Sequence, residues 1–248
     1  CSITGFGSGA GAAMPGYDLL VQAMGGLMSV TGPAPGQPTK VGVALVDVIT
    51  GMHATIGILA ALNHRNLSGE GQEIEVNLLS SLLSAMVNQA SSFVSGGVVP
   101  GILGNAHPSI SPYEVYQTSD RPIVVAVGND GQFVKLCEEL GIPEIASEER
   151  FKTNPDRVSN RIELNELLVK QFLTQGADHW WKALSISGVP CGPINAIDDA
   201  FELATSLELN PIITIAQDGE LRRQIANPIT FSKTPVRYDV APPSLDEA

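Results

Sequence analysis

The sequence predicts an α/β protein made of two unlike units. Two observations carry that reading. Helix-like patterns dominate residues 17–94, while 113–127 reads as a pair of strands followed by further helices. Between them, 98–112 (VVPGILGNAHPSISP) is rich in glycine and proline and has no period, so a domain change is expected in a linker around 95–110.

Taken in order, Cys1 to Phe6 is β-like and runs into a Gly/Ala-rich loop. From Tyr17 to Met28 the residues Leu20, Val21, Met24, Leu27 and Met28 recur at spacings of three and four, which predicts a helix. Gly25-Gly26 within it suggests close approach of a neighbouring backbone. Thr31 to Lys40 is a Pro/Gly connection. Val43 to Val46 are four apolar positions before Asp47, and ITGMHATIGILAAL then reads as a tightly packed helix. Ser68 to Gly71 is a turn, Gln72 to Val76 an alternating strand, and Leu78 to Val94 a long helix ended by Gly96-Gly97. Strands follow at Tyr113–Thr118 and Pro122–Val127, turning at Ser119-Asp120-Arg121. Helices are expected at Gly131–Leu140, Ser159–Gln175, Asp178–Ser187 and Asp198–Thr205, and strands at Ile212–Ile215 and Ile225–Phe231. Trp180 and Trp181 are expected in the core, and Pro242-Pro243 with the acidic end as a tail.

Composition narrows the function. With 14 Lys and Arg against 26 Asp and Glu, and no basic cluster longer than Arg222-Arg223, nucleic acid is not expected as a partner. The apolar runs are broken before the length that spans a bilayer, so no membrane segment is expected. Three cysteines without CxxC spacing favour neither a disulfide framework nor zinc, and a reducing, cytoplasmic setting fits. The chain opens on Cys-Ser-Ile-Thr, which predicts a processed chain or part of a longer one.

No dinucleotide-binding, Walker, GxSxG or HExxH sequence is present, and four scattered histidines give no metal spacing. Asp47 follows apolar residues, so partial burial is expected. It also sits at or just before a helix's first turn, where capping is the commoner role for a carboxylate. Asp18 has the same ordinary explanation, and His107 reads as a turn histidine.

Four stretches shift these readings: PGYDLLVQAMGGLMSVTG (15–32), VALVDVITGMHATIGILAALNHRNLSGEGQEIEVNLL (43–79), GNAHPSISPYEVYQTSDRPIVVAVGNDGQFVKLCEELG (104–141) and SGVPCGPINAIDDAF (187–201). In this order they resemble the family III CoA-transferases. The resemblance implies a remnant of a Rossmann-like large domain (1–95, carrying the nucleophile), a linker and active-site loop (96–112), a smaller α/β domain (113–205) and a return segment (206–248), in the fold of an interlocked homodimer. Roughly the first hundred residues of such a protein are then expected to precede Cys1, with apolar surface left exposed around 1–30 and 78–95.

By the same resemblance Asp47, in DVITGMH, is the catalytic nucleophile; Tyr17 and Asp18 line the site; and Gly104, Asn105 and His107 belong to a loop over the reacting thioester. The implied substrates are an acyl-CoA and a small carboxylic acid, a dicarboxylic one by the likeness of the GNAHPSI loop, with no metal and no other cofactor. Acyl-CoA racemases of the same superfamily are the competing function, but they use histidine where Tyr17 stands, and a tyrosine of ordinary acidity is a poor base at neutral pH. A non-catalytic acyl-CoA-binding role is the third reading. Transfer through an aspartyl anhydride requires exclusion of water from Asp47, and backbone N–H groups at the helix start are expected to hold the oxyanion.

Overall fold

The protein is described by a computed structural model over residues 1–217 and 219–243; the acidic end of the expected tail, 244–248, lies outside the described residues. Strand β1 (Ser2–Thr4) pairs in parallel with β2 (Glu75–Asn77), which fixes the start of the chain beside the segment that leads into later helices. The predicted helix over 17–28 is two: α1 (Asp18–Met24) and α2 (Leu27–Val30). Gly26 breaks it by taking the left-handed conformation (φ 87°) that a side chain resists. What approaches Gly25 is side chain rather than the backbone of a neighbour, since a Cβ there would lie 2.6 Å from Leu82 Cδ2.

Helix α3 (Leu45–Ser68) is the longest element and ends on Gly69, again left-handed. The predicted helix at 78–94 divides into α4 (Leu78–Ala85), capped by the Asn77 side chain at 2.8 Å from Ser80 N, and α5 (Val87–Gly96). The break falls at Val87, with φ 41°. Val21, Val46, Leu78 and Leu82 form a small buried cluster among α1, α3 and α4. By length and composition α3 is apolar enough to cross a membrane, a test that the core helix of a globular protein passes as well. Its glycines, alanines and threonines interrupt the run without making it polar. In the fold, α3 packs against α1, α4 and β2.

Beyond 97–112, which holds no helix or strand, β3 (Tyr113–Tyr116), β4 (Ile123–Ala126) and β5 (Cys191–Pro193) form an antiparallel sheet in that order. Against it lie α6 (Asp130–Glu139), α7 (Asn154–Ser159), α8 (Arg161–Phe172) and α9 (Ala177–Ser187), with a 3-10 turn at Pro143–Ser147. Their apolar faces meet in one large cluster. In it Tyr116 stacks on Phe172 at 4.8 Å and Trp180 meets Phe172 edge-on at 5.7 Å. The Trp180 indole N–H donates to the Phe172 carbonyl at 2.9 Å. Trp181, expected in the core, is 40% exposed; it is the neighbour of Trp180 and points off the other side of α9.

The chain closes with α10 (Ile197–Ser206) and a hairpin of β6 (Ile212–Gln217) and β7 (Glu220–Ile225). The expected strand at 225–231 is absent: β7 ends at Ile225, and Pro228 lacks the N–H that a ladder needs.

Candidate active site

The N-cap of helix α3 is Ala44, whose methyl group cannot cap it. The cap comes from α1. Asp18 Oδ1 accepts the backbone N–H of Val46 at 2.8 Å and, more weakly, that of Asp47 at 3.4 Å. The other oxygen, Oδ2, accepts from the Gln22 side-chain amide at 2.5 Å, and Gln22 Oε1 accepts the Val41 N–H at 2.9 Å. Gln22 is fully buried, so this chain of bonds satisfies a polar group that would otherwise be costly, and it ties the 31–41 connection to α1 and α3.

The consequence falls on Asp47. It stands in the first turn of α3, yet the capping work is done by Asp18, and the Asp47 carboxylate makes no hydrogen bond or ion pair among the described residues. The expected partial burial does not hold: Asp47 is exposed. Of the four apolar residues before it, Val46 turns into the small cluster while Val43 is 64% exposed, so the run does not enclose the position. Tyr17 immediately precedes α1 and is itself 70% exposed. The structure thus brings Asp18 and the Asp47 backbone together, with Tyr17 preceding Asp18 in sequence.

The expected oxyanion donors at this helix start are already engaged. Leu45 N donates to Val43 O at 2.8 Å and Val48 N to Ala44 O at 3.2 Å, while the two amides between them serve Asp18.

Gly104 and Asn105 line a groove of about 420 Å³ with Val30, Thr31, Gly32, Pro33 and Thr39. Gly104 is left-handed (φ 62°), and a Cβ there would lie 3.0 Å from the Pro33 carbonyl, so the loop lies directly on the 31–40 connection. His107, three residues on, turns away from that groove: its N–H donates to Tyr113 O at 3.0 Å and its ring sits 5.2 Å from that of Tyr113. Arg161 on α8 reaches back to the carbonyls of His107 and Pro108, each at 3.1 Å. Four residues earlier, on α7, the fully buried Arg157 donates to Ser111 O at 2.7 Å, to Phe151 O and Lys152 O, and to Asp130 at 2.7 Å. Sequence reasoning missed both arginines and Gln22; the signal for Gln22 was a polar residue beside Val21 on the buried face of a helix.

Neither partly nor fully buried thiol competes as a nucleophile. Burial pushes Cys137 up to about 12 and raises Cys191 as well, which keeps both protonated at neutral pH. Among the described residues no group of His, Cys, Asp and Glu is arranged to hold a metal.

The sequence profile described as CoA-transferase family III matches residues 1–248. The chain is 43% identical over its whole length to succinate–glutarate CoA-transferase of Agrobacterium fabrum, covering 62% of that protein. It is 35% identical, again over its whole length, to succinyl-CoA:glutarate CoA-transferase of Mus musculus, covering 57%. The solved structure of a CAIB/BAIF family protein from Brucella suis superposes with a TM-score of 0.85 at 40% identity, covering 100% of this chain and 65% of that one. The chain therefore spans less than two thirds of the length of each of these relatives.

Proposed function

The chain belongs to CoA-transferase family III, and on that premise we propose that the protein moves coenzyme A from an acyl-CoA donor to a small carboxylic acid, with Asp47 as the covalent carrier. The observation that carries the proposal is the free Asp47 carboxylate at the head of α3, released from capping by Asp18. A group with that duty removed keeps both oxygens for a reaction.

One Asp47 oxygen attacks the thioester carbonyl of the donor; the C–S bond breaks, giving an aspartyl anhydride and CoA thiolate. The thiolate attacks the aspartyl carbonyl of the anhydride, forming an aspartyl-CoA thioester and freeing the donor acid as its carboxylate. The acceptor carboxylate then attacks that thioester, expelling thiolate and leaving a new anhydride. Return of the thiolate to the acceptor's acyl carbon yields the new acyl-CoA and restores Asp47. Thioester is exchanged for thioester and charge balances at each step, so the chemistry itself calls for neither a metal nor a nucleotide triphosphate.

Because each intermediate hydrolyses in water, Asp47 has to be covered when substrate is bound. In this reading the cover is the loop of Gly104, Asn105 and His107, and Tyr17 and Asp18 support the site. Glutarate in the names of both curated relatives favours a dicarboxylic acceptor. The protein is read as a homodimer: Val48, Met52, Ile56 and Leu59 form a stripe along α3, each more than half exposed, and a subunit interface is a natural cover for such a stripe. Its cysteines are free, which fits the cytoplasm.

The test is chemical. Incubation with an acyl-CoA and mass spectrometry should find an acyl or CoA adduct on Asp47, converted by hydroxylamine to the hydroxamate. Asp47→Asn should lose it; full transfer by that variant would end the proposal.

A further inference from the structure

The helical layer of residues 1–96 and the sheet unit of 113–193 have separate buried clusters. Among the described residues no helix or strand of one packs more than marginally against a helix or strand of the other, and no backbone hydrogen bond runs between them. The joint is therefore 97–112, whose glycines and prolines read as a loose tether. Its bonds show otherwise.

The second half of the segment is fastened to the sheet unit. Asn154 Nδ2 donates to the Ser109 carbonyl at 2.9 Å, and Asn154 Oδ1 accepts the Ser111 N–H at 3.1 Å. Arg157 holds the Ser111 carbonyl, and the fork of Arg161 holds those of His107 and Pro108. Val127 N donates to Pro112 O and His107 N to Tyr113 O, each at 3.0 Å. Every carbonyl from His107 to Pro112 except that of Ile110 thus has a donor on the sheet unit, and backbone satisfied in this way travels with its partners.

The first half is fastened to the helical layer. Gly97 N and Val98 N donate to the α5 carbonyls of Phe93 and Ser92 at 2.9 and 3.1 Å. Ile102 is buried, its Cδ1 3.3 Å from where a Cβ on Gly32 would lie, and Gly104 rests on the Pro33 carbonyl. Only Asn105 and Ala106 remain between the two anchorages. Asn105 is exposed and its side-chain amide has no partner among the described residues. Ala106 has one turn bond, from its N–H to Leu103 O at 3.2 Å.

We propose that Asn105–Ala106 is the pivot about which the sheet unit, carrying 107–112 as part of one body, turns relative to the helical layer, and that Asn154 and Arg161 confine the pivot to those two residues. The loop of Gly104, Asn105 and His107 then has no motion of its own: its start travels with one unit and its end with the other.

The experiment measures residual dipolar couplings of backbone amides in the intact, weakly aligned protein. Couplings from 1–96 and from 113–193 should each fit the structure but require alignment tensors of different magnitude, the signature of one body moving against another. His107, Ser109, Ile110 and Ser111 should fit the tensor of 113–193, and Ile102, Leu103 and Gly104 that of 1–96. With Arg161→Ala and Asn154→Ala combined, His107 and Ser109 should leave the fit and their amide order parameters should fall from about 0.85 to below about 0.6. Couplings from 113–193 that still fit show that the variant's sheet unit is folded, and the parent protein's couplings place the pivot whether or not it is. One tensor serving the whole chain overturns the proposal. So does a fit of 107–111 to the tensor of the helical layer, or a folded double variant in which His107 and Ser109 are unchanged.

Discussion

The sheet unit of 113–193 and the helical layer of 1–96 solve the same problem with unequal means. In the first, seventeen buried residues form one continuous cluster from Tyr116 to Val189; in the second, four do, and helix faces with Val48, Met52, Phe93 and Val94 stay exposed. Both start a key helix with a borrowed carboxylate. Asp18 caps α3 from another helix, and Asp120 accepts the N–H of Ala177 at the head of α9 at 2.8 Å, along with the Thr118 hydroxyl and the Arg121 N–H at 2.7 Å each. Order in the sheet unit comes mainly from burial. In the helical layer it depends on a few directed bonds, and the candidate nucleophile sits where those bonds converge.

The largest expected effect tests the well-packed side. Phe172→Ala removes a ring between Tyr116 and Trp180 and should cost about 3 to 5 kcal/mol in denaturant unfolding. Leu82→Ala in the small cluster should cost about 2 kcal/mol, because a thin, half-open cluster relaxes around the loss. A cost for Leu82→Ala equal to that of Phe172→Ala would erase the contrast. Asp18→Ala should cost about 1 to 2 kcal/mol as α3 loses its cap and the buried Gln22 amide its partner, and should reduce adduct formation on Asp47. Full adduct yield in that variant would separate capping from catalysis.

The smallest effect is seen in acid. The Ala177 N–H above all, then the Thr118 hydroxyl and the Arg121 N–H, hold Asp120 down at about 2. A carboxyl lowered in the fold stabilises it above the unfolded value of about 4 and loses that contribution as pH falls through the folded value. Acid unfolding of Asp120→Asn and the parent protein should therefore differ above about pH 4 and converge by about pH 2.

Periodicity read most helices and the β3–β4 pair correctly, because long apolar repeats and a three-residue turn are local signals. It failed where backbone geometry decides. Gly26 and Val87 in left-handed conformations split two helices that the apolar pattern runs straight through. Strand β5 is Cys-Gly-Pro, which no alternation can mark; it exists because β4 offers an open edge. Helix α7 escaped notice because it is short and begins beside Pro155. At the site, DVITGMH pointed to Asp47, while the bond that frees it joins residues 28 apart in sequence and has no local trace. The same holds for Arg161, whose partners at 107 and 108 are more than fifty positions upstream.

The bond from Asp18 to the Val46 amide also dictates a sequence of events. Alone, α3 has only an alanine as its N-cap, and its first turn gains that acceptor only after α1 has docked. Nascent chain emerging with α3 still apart from α1 would hold Asp47 on a frayed end. Hydrogen exchange at Val46 therefore reports the docking of α1, and its protection should appear together with that of α1 rather than with the middle of α3.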